Sequence, residues 1–237
     1  MLDTKRDARN MLGDKQAMIK FLKENGLSLV MLNLFGIFLV GQAFAGLFAH
    51  NADLFTHGVP PLTLWQYLGT ADFWEATAEN WESEFLQMGM YVFLTALLFQ
   101  KGSAESKRIY AHNEVDADPR RTKNRFSPWP VRRGGWVLKL YSHSLSIALF
   151  TLFLFSFLLH AYSGVRKYLQ MEARHGHEYE MSMWQYMGTS QFWFEAFQNW
   201  QSEFLSVGVL VLLSVVLRER GSPESKPVAM SHNREVA

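Results

Sequence analysis

Residues 27–49 read LSLVMLNLFGIFLVGQAFAGLFA, twenty-three positions without a charged side chain. A bilayer core of about 30 Å is crossed by roughly 20 residues of α-helix. In hydrocarbon a single segment satisfies all its backbone polar groups only as a helix. The stretch therefore predicts a transmembrane helix. Three further runs follow it. Residues 85–99 are apolar and reach bilayer length as a helix begun near Asn80 and ended at Gln100. Residues 140–161 form a third run, and residues 204–217 a fourth, completed upstream from near Asn199. The reading is all-α: a four-helix transmembrane bundle. Ala43-Phe44-Ala45 resembles a signal-peptide cleavage site. The long basic lead and the apolar residues beyond Ala45 predict instead that the segment is retained.

Charge distribution orients the spans. Positive side chains stay on the cytoplasmic face. Residues 1–25 carry Lys5, Arg6, Arg9, Lys15, Lys20 and Lys23, and the 101–139 loop carries ten Lys and Arg. The end of the chain adds Arg218, Arg220, Lys226 and Arg234. Residues 47–84 have none, and residues 163–203 only Arg166, Lys167 and Arg174. Alternate segments obey the rule, which predicts a multi-pass membrane protein of four spans with both termini cytoplasmic. Mean hydropathy near zero and a net charge of +1 conceal this segregation. The absence of cysteine excludes disulfides and thiolate chemistry.

The chain repeats itself. WQYLGTADFWEATAENWESEFLQMG (65–89) aligns without a gap on WQYMGTSQFWFEAFQNWQSEFLSVG (184–208), with 14 of 25 positions identical. The same shift of 119 aligns GSAESK (102–107) with GSPESK (221–226). A shift of 118 aligns Leu27-Ser28 with Leu145-Ser146, Gly46 with Gly164, and His57-Gly58 with His175-Gly176. Each copy holds two spans, so the copies share one orientation, the parallel-repeat arrangement. The expected organisation is a cytoplasmic basic tail (1–25), a first two-span repeat (26–102), a cytoplasmic linker (103–139), a second repeat (140–221) and a cytoplasmic tail (222–237). The prolines and glycines of the linker predict little regular structure. Gly102 and Gly221 are expected to cap the outgoing helices, with the following lysines near the inner headgroups.

On a helical wheel Phe73, Trp74, Thr77, Asn80, Trp81, Glu84 and Met88 share one side, and Glu75, Glu79 and Glu82 the other. The first face recurs as Phe192, Trp193, Asn199, Trp200 and Glu203. The acidic face does not: Phe194, Gln198 and Gln201 stand there, and it is expected to be a solvated surface. Carboxylates within a span face a polar cavity or a partner. Glu84 and Glu203, with Asn80 and Asn199 one turn before them, are therefore the candidate ion or proton site. Their competing reading is local hydrogen bonding near the end of a span. Trp65, Trp74, Trp81, Trp184, Trp193 and Trp200 are expected to form an interfacial belt. WQYLGT and WQYMGT are expected to open short outer interfacial helices. His175 and His177, beside Glu178, make a metal-like pattern to which His57 and His50 of the first copy could add, but zinc needs three or four ligands, and His177 has no counterpart in the first copy. His143 and His160, in or beside the third span, are expected to bond to neighbouring helices. Gly36, Gly41, Ala45 and Ala49 provide small residues for helix contact. No catalytic, nucleotide-binding or cofactor fingerprint occurs. The expected partner is the lipid bilayer, with a homo-oligomer left open; acidic residues within the basic linker argue against nucleic acid.

NGLSL before the first span, FWEATAENWESEFLQM at the second and GSAESK after it together resemble a family of bacterial integral membrane proteins, a domain of unknown function. The resemblance covers most of residues 20–226, and the NWxSEF core is its most specific part. It implies a bacterial inner-membrane protein and no activity. The leading functional expectation is a non-enzymatic scaffold or envelope-associated protein. The alternative is a small transporter or channel for protons or cations that uses paired carboxylates at the repeat interface.

Overall fold

The computed structural model describes residues 2–109, 112–177 and 180–232. Arg234, with the rest of residues 233–237, and Glu178 lie outside the described residues. The described chain is all helical, and three of its helices are long and apolar enough to cross a membrane. α1 (Leu2–Thr56) contains the first of these, from Lys15 to Thr56. α7 (Ser144–Arg174) and α9 (Ser190–Val216) are the other two, about 46 and 40 Å long at 1.5 Å per residue. α3 (Ala71–Leu97) equals α9 in length but carries five carboxylates in its first half. Between α1 and α3 lies α2 (Leu64–Tyr67). α4 (Pro119–Thr122), α5 (Trp129–Arg133) and α6 (Gly135–Ser142) follow α3, and α8 (Met183–Tyr186) precedes α9.

Several boundaries differ from the sequence expectation for local reasons. α3 and α9 begin at Ala71 and Ser190, not near Asn80 and Asn199. Thr70 and Thr189 accept hydrogen bonds from the amides of Phe73 and Phe192, satisfying donors a helix start leaves open. The linker, expected to have little regular structure, holds a 3-10 turn (Glu114–Asp116) and the short helices α4 and α5, and α6 begins within it at Gly135. α2 and α8 each open on a capping box, Thr63 with Gln66 and Ser182 with Gln185.

The GSxESK elements are not helix C-caps. Gly102 and Gly221 have φ of +86° and +89°, and each sits third in a turn closed by Ser103 N–H on Gln100 O or Ser222 N–H on Glu219 O. That is a position where glycine is favoured. The lysines do not extend freely outward. Lys107 Nζ donates to Ala96 O, in the last turn of α3, and to Asp116. Lys226 is buried and donates to His232 O.

The chain forms two compact units, Met1–Phe73 and Trp74–Ala237. In the first, Ala43, Leu47, Tyr67 and Phe73 make a small core. Asn51 exchanges two hydrogen bonds with the Leu62 backbone, and His50 meets Asp72 at 3.1 Å. In the second unit the core is Ala161, Val165, Tyr186 and Phe192. These are the four residues of the first core displaced by 118 or 119 positions.

The distribution of side chains in the second unit is inverted relative to a water-soluble protein. Leu145, Leu154, Phe155, Leu205, Leu212 and Val216 are exposed, whereas Glu75, Glu82, Gln87, Ser156, His160 and Ser163 are buried. Apolar surface outside and polar groups inside is the pattern of helices that meet lipid.

Candidate functional site

The site is assembled by three helical faces of the second unit. On α3, Glu75, Glu79 and Glu82 follow at i, i+4 and i+7, which places them on one side. On α7, His160 and Lys167 are seven residues apart and share a face with the buried Ser156 and Ser163. On α9, Gln191, Glu195 and Asn199 recur every fourth residue. α8 adds Tyr186 from its buried end.

These faces converge on His160. Its Nδ1 lies 2.8 Å from Glu82 Oε2, and neither side chain reaches solvent. Trp200 Nε1–H donates to Glu82 Oε1 at 2.8 Å. On the other edge of the imidazole, Nε2 stands 3.5 Å from Glu195 Oε2 and has no hydrogen-bond partner. The ring is stacked on Phe192 with centroids 4.8 Å apart. Glu195 accepts from Tyr186 Oη–H at 3.0 Å and from Gln191 Nε2–H at 2.6 Å. Lys167 Nζ meets Glu75 Oε2 at 2.8 Å. Asn199 donates to Glu79. One ligating atom each of Glu75, His160 and Glu195 lie within 4.8 Å of one another.

A cavity of about 240 Å³ opens beside this cluster, lined by Glu75, Lys167, Tyr186, Gln191, Glu195 and their neighbours on α7. Burial and the adjacent Glu195 carboxylate hold the Tyr186 phenol well above its ordinary value, so it remains a hydrogen-bond donor at neutral pH. Four carboxylates (Glu75, Glu79, Glu82 and Glu195) thus face Lys167 and His160. Among the described residues these two are the basic groups of the cluster. Buried uncompensated charge is strongly unfavourable.

The solvated acidic face expected from the sequence is overturned at two of its three positions. Glu75 and Glu82 are buried, and Glu79 is half-buried. The partners that make this tolerable, Lys167, His160, Asn199 and Trp200, all come from the second copy. The face therefore need not recur there.

Among the sequence candidates, Glu84 is exposed and Glu203 half-buried, within electrostatic reach of each other. Asn80 donates to Ala76 O at 2.7 Å, whereas Asn199 belongs to the cluster. Trp65 and Trp184 are the most exposed of the six tryptophans, at 82% and 69%. Trp74 and Trp193 are exposed to about half that degree, Trp81 is half-buried, and Trp200 is held by Glu82. His175 Nδ1 meets Met171 O, and His177 Nδ1 meets Glu172. Sequence reasoning expected a helix contact at His160 and passed over Glu195. Glu195 replaces Ala76 in an otherwise similar segment, and that departure was the available signal.

The polar interior continues beyond the cluster. Gln87 donates to Glu203 O and Ser206 Oγ, Tyr91 donates to Glu105, and Ser103 meets Ser214 at 2.6 Å. Neither a curated protein nor a solved structure matches the chain. Residues 18–236 match the family described as Domain of unknown function (DUF6766), and the chain belongs to that family.

Proposed function

We propose that this chain is an integral membrane protein of four spans, α1, α3, α7 and α9, arranged as two parallel two-span repeats. Both termini lie in the cytoplasm, and the bacterial inner membrane is its location. In this orientation the His160 cluster stands at the outer ends of α3, α7 and α9, with Trp65 and Trp184 at the outer boundary. The protein moves protons or cations along the polar interior of the second unit. The observation that carries this reading is the polar stripe of α3, Glu75, Glu79, Glu82, Gln87 and Tyr91, bonded in turn to α7, α9 and the GSAESK turn. Ionisable residues within spans are costly and usually mark an ion or proton pathway. Glu84 and Glu203 provide a second carboxylate pair deeper along the same helices.

A structural role is the second reading. Glu75 and Glu82 already have protein partners, as they would if the cluster only pinned helices together. Proteoliposomes containing a pH-sensitive dye separate the two. The transport reading expects an imposed potential to drive proton or monovalent- or divalent-cation flux, and Glu82→Gln to abolish it in folded protein. Wild-type vesicles as tight as protein-free ones to all these ions would sink transport and leave the structural role.

A further inference from the structure

We infer that Glu75, His160 and Glu195 form a binding site for a divalent transition-metal ion of the Zn2+ or Mn2+ class. This rests on the reading of the cluster as cation-handling and names the ion. One imidazole and two carboxylates suit borderline first-row ions, whereas all-oxygen cages suit Mg2+ and Ca2+.

The imidazole carries the argument. Glu82, held by Trp200, accepts from Nδ1–H. In the neutral ring that bond places the lone pair on Nε2; in the charged ring a proton stands there, which a bound metal ion would replace. Nε2 is buried, has no hydrogen-bond partner, and points at the Glu195 carboxylate. Either a proton or a metal ion between Nε2 and the Glu195 carboxylate relieves the repulsion of lone pair and anion, and at 3.5 Å the gap accommodates the ion. A carboxylate on the far nitrogen of a metal-ligating histidine is the recurrent way of orienting that ligand.

Distances agree. Ligands about 2.1 Å from a tetrahedral ion are separated by roughly 3.4 Å. Nε2 and Glu195 Oε2 are 3.5 Å apart, and Glu75 completes a group spanning at most 4.8 Å. Rotation of the Glu75 carboxyl supplies the remaining closure. Three protein ligands leave a coordination position free, and the cavity along Lys167 and Gln191 gives it room for water and a route of entry. Lys167 occupies one oxygen of Glu75 and competes with the ion for that ligand.

Calorimetry of the tag-free full chain in detergent, titrated with Zn2+ alone, tests the site. Co2+ absorption reports the nitrogen ligand. One ion per chain is expected. Glu195→Gln should weaken binding by about tenfold or more, and Lys167→Met should strengthen it. His160→Gln should remove the Co2+ spectrum. Because that variant removes a fully buried group, the test stands on Glu195→Gln, whose side chain is 17% exposed, with folding checked by circular dichroism. A folded wild type without saturable one-to-one binding overturns the inference. So does unchanged affinity in Glu195→Gln, which would assign the ion to surface histidines. Stoichiometric binding without ion flux would uphold the site and sink the transport reading; proton flux without metal binding would do the reverse.

Discussion

His160 and Glu82 are hydrogen-bonded at 2.8 Å with both side chains fully enclosed, one from each sequence repeat. Such a pair is not by itself a source of stability, because desolvation offsets much of the attraction. Removing one partner is a different matter. Glu82→Ala would leave His160 Nδ1–H and Trp200 Nε1–H without their shared acceptor. The expected cost is about 3–5 kcal/mol. Glu82→Gln keeps one acceptor oxygen and should cost clearly less. Thermal unfolding of both variants in one detergent checks this; equal losses would show that the carboxylate is not bridging.

Gly164 lies against Tyr186, where an added Cβ would meet the ring at 2.6 Å and Oη at 2.9 Å. Gly46 lies against Tyr67 in the same way, with Cζ at 2.9 Å. Both tyrosines are buried, so neither ring has free space to retreat into. Alanine at either glycine should destabilise by about 1–3 kcal/mol through overpacking. The two substitutions differ in consequence. Tyr186 also holds Glu195, so Gly164→Ala should weaken Zn2+ binding, whereas Tyr67 has Phe73 and His50 as ring neighbours. Parallel unfolding and Zn2+ titrations distinguish them.

Long apolar runs were legible in the sequence because bilayer thickness imposes a minimum length on them. Helix starts were less so. Thr70 and Thr189 act through a single hydroxyl, and the residues after them are not apolar enough to mark a helix by hydropathy. The buried cluster was not legible in the sequence for a physical reason. A wheel drawn for residues 73–89 shows which side chains share a face, but not what packs on that face. Recurrence between the copies points to Glu84 and Glu203. The buried cluster is instead asymmetric, pairing the carboxylates of one copy with His160, Lys167 and Glu195 of the other. An asymmetric contact between copies leaves no repeated pattern to find.

Glu105 and Glu224 occupy equivalent positions in GSAESK and GSPESK and face each other. Glu105 Oε1 has no donor of its own, so a proton between the two carboxyls would satisfy both. Burial raises the Glu105 carboxyl above its ordinary value of 4.5; the Tyr91 hydroxyl opposes this, and Glu224 adds to the rise. A raised folded-state value means that the folded protein holds this proton more tightly than the unfolded chain. The resulting stability is fully present below the ordinary carboxylate range and is lost as pH rises through the raised value. Wild type should therefore lose stability relative to Glu105→Gln as pH rises from about 4 to about 8. Unfolding temperatures of both proteins across that range check the sign; a constant difference would show that no shared proton is present.

Trp200 lies in an aromatic group with Phe153, Trp193 and Phe197, and its indole N–H ends on Glu82. Ring packing and hydrogen bonding can be separated here. Trp200→Phe keeps an aromatic ring against these neighbours but removes the donor. Its cost should exceed that of lost ring area by about 1–3 kcal/mol, the penalty for an ionised acceptor left short of a partner. Contacts within one network do not add independently. In the double variant with Glu82→Gln, the two losses should sum to more than the measured total, because each single change already breaks the same bond. Strict additivity in a double-mutant cycle would mean that Trp200 contributes through packing alone. In that case the fixed Nδ1–H tautomer of His160 would depend on Glu82 without help from the indole.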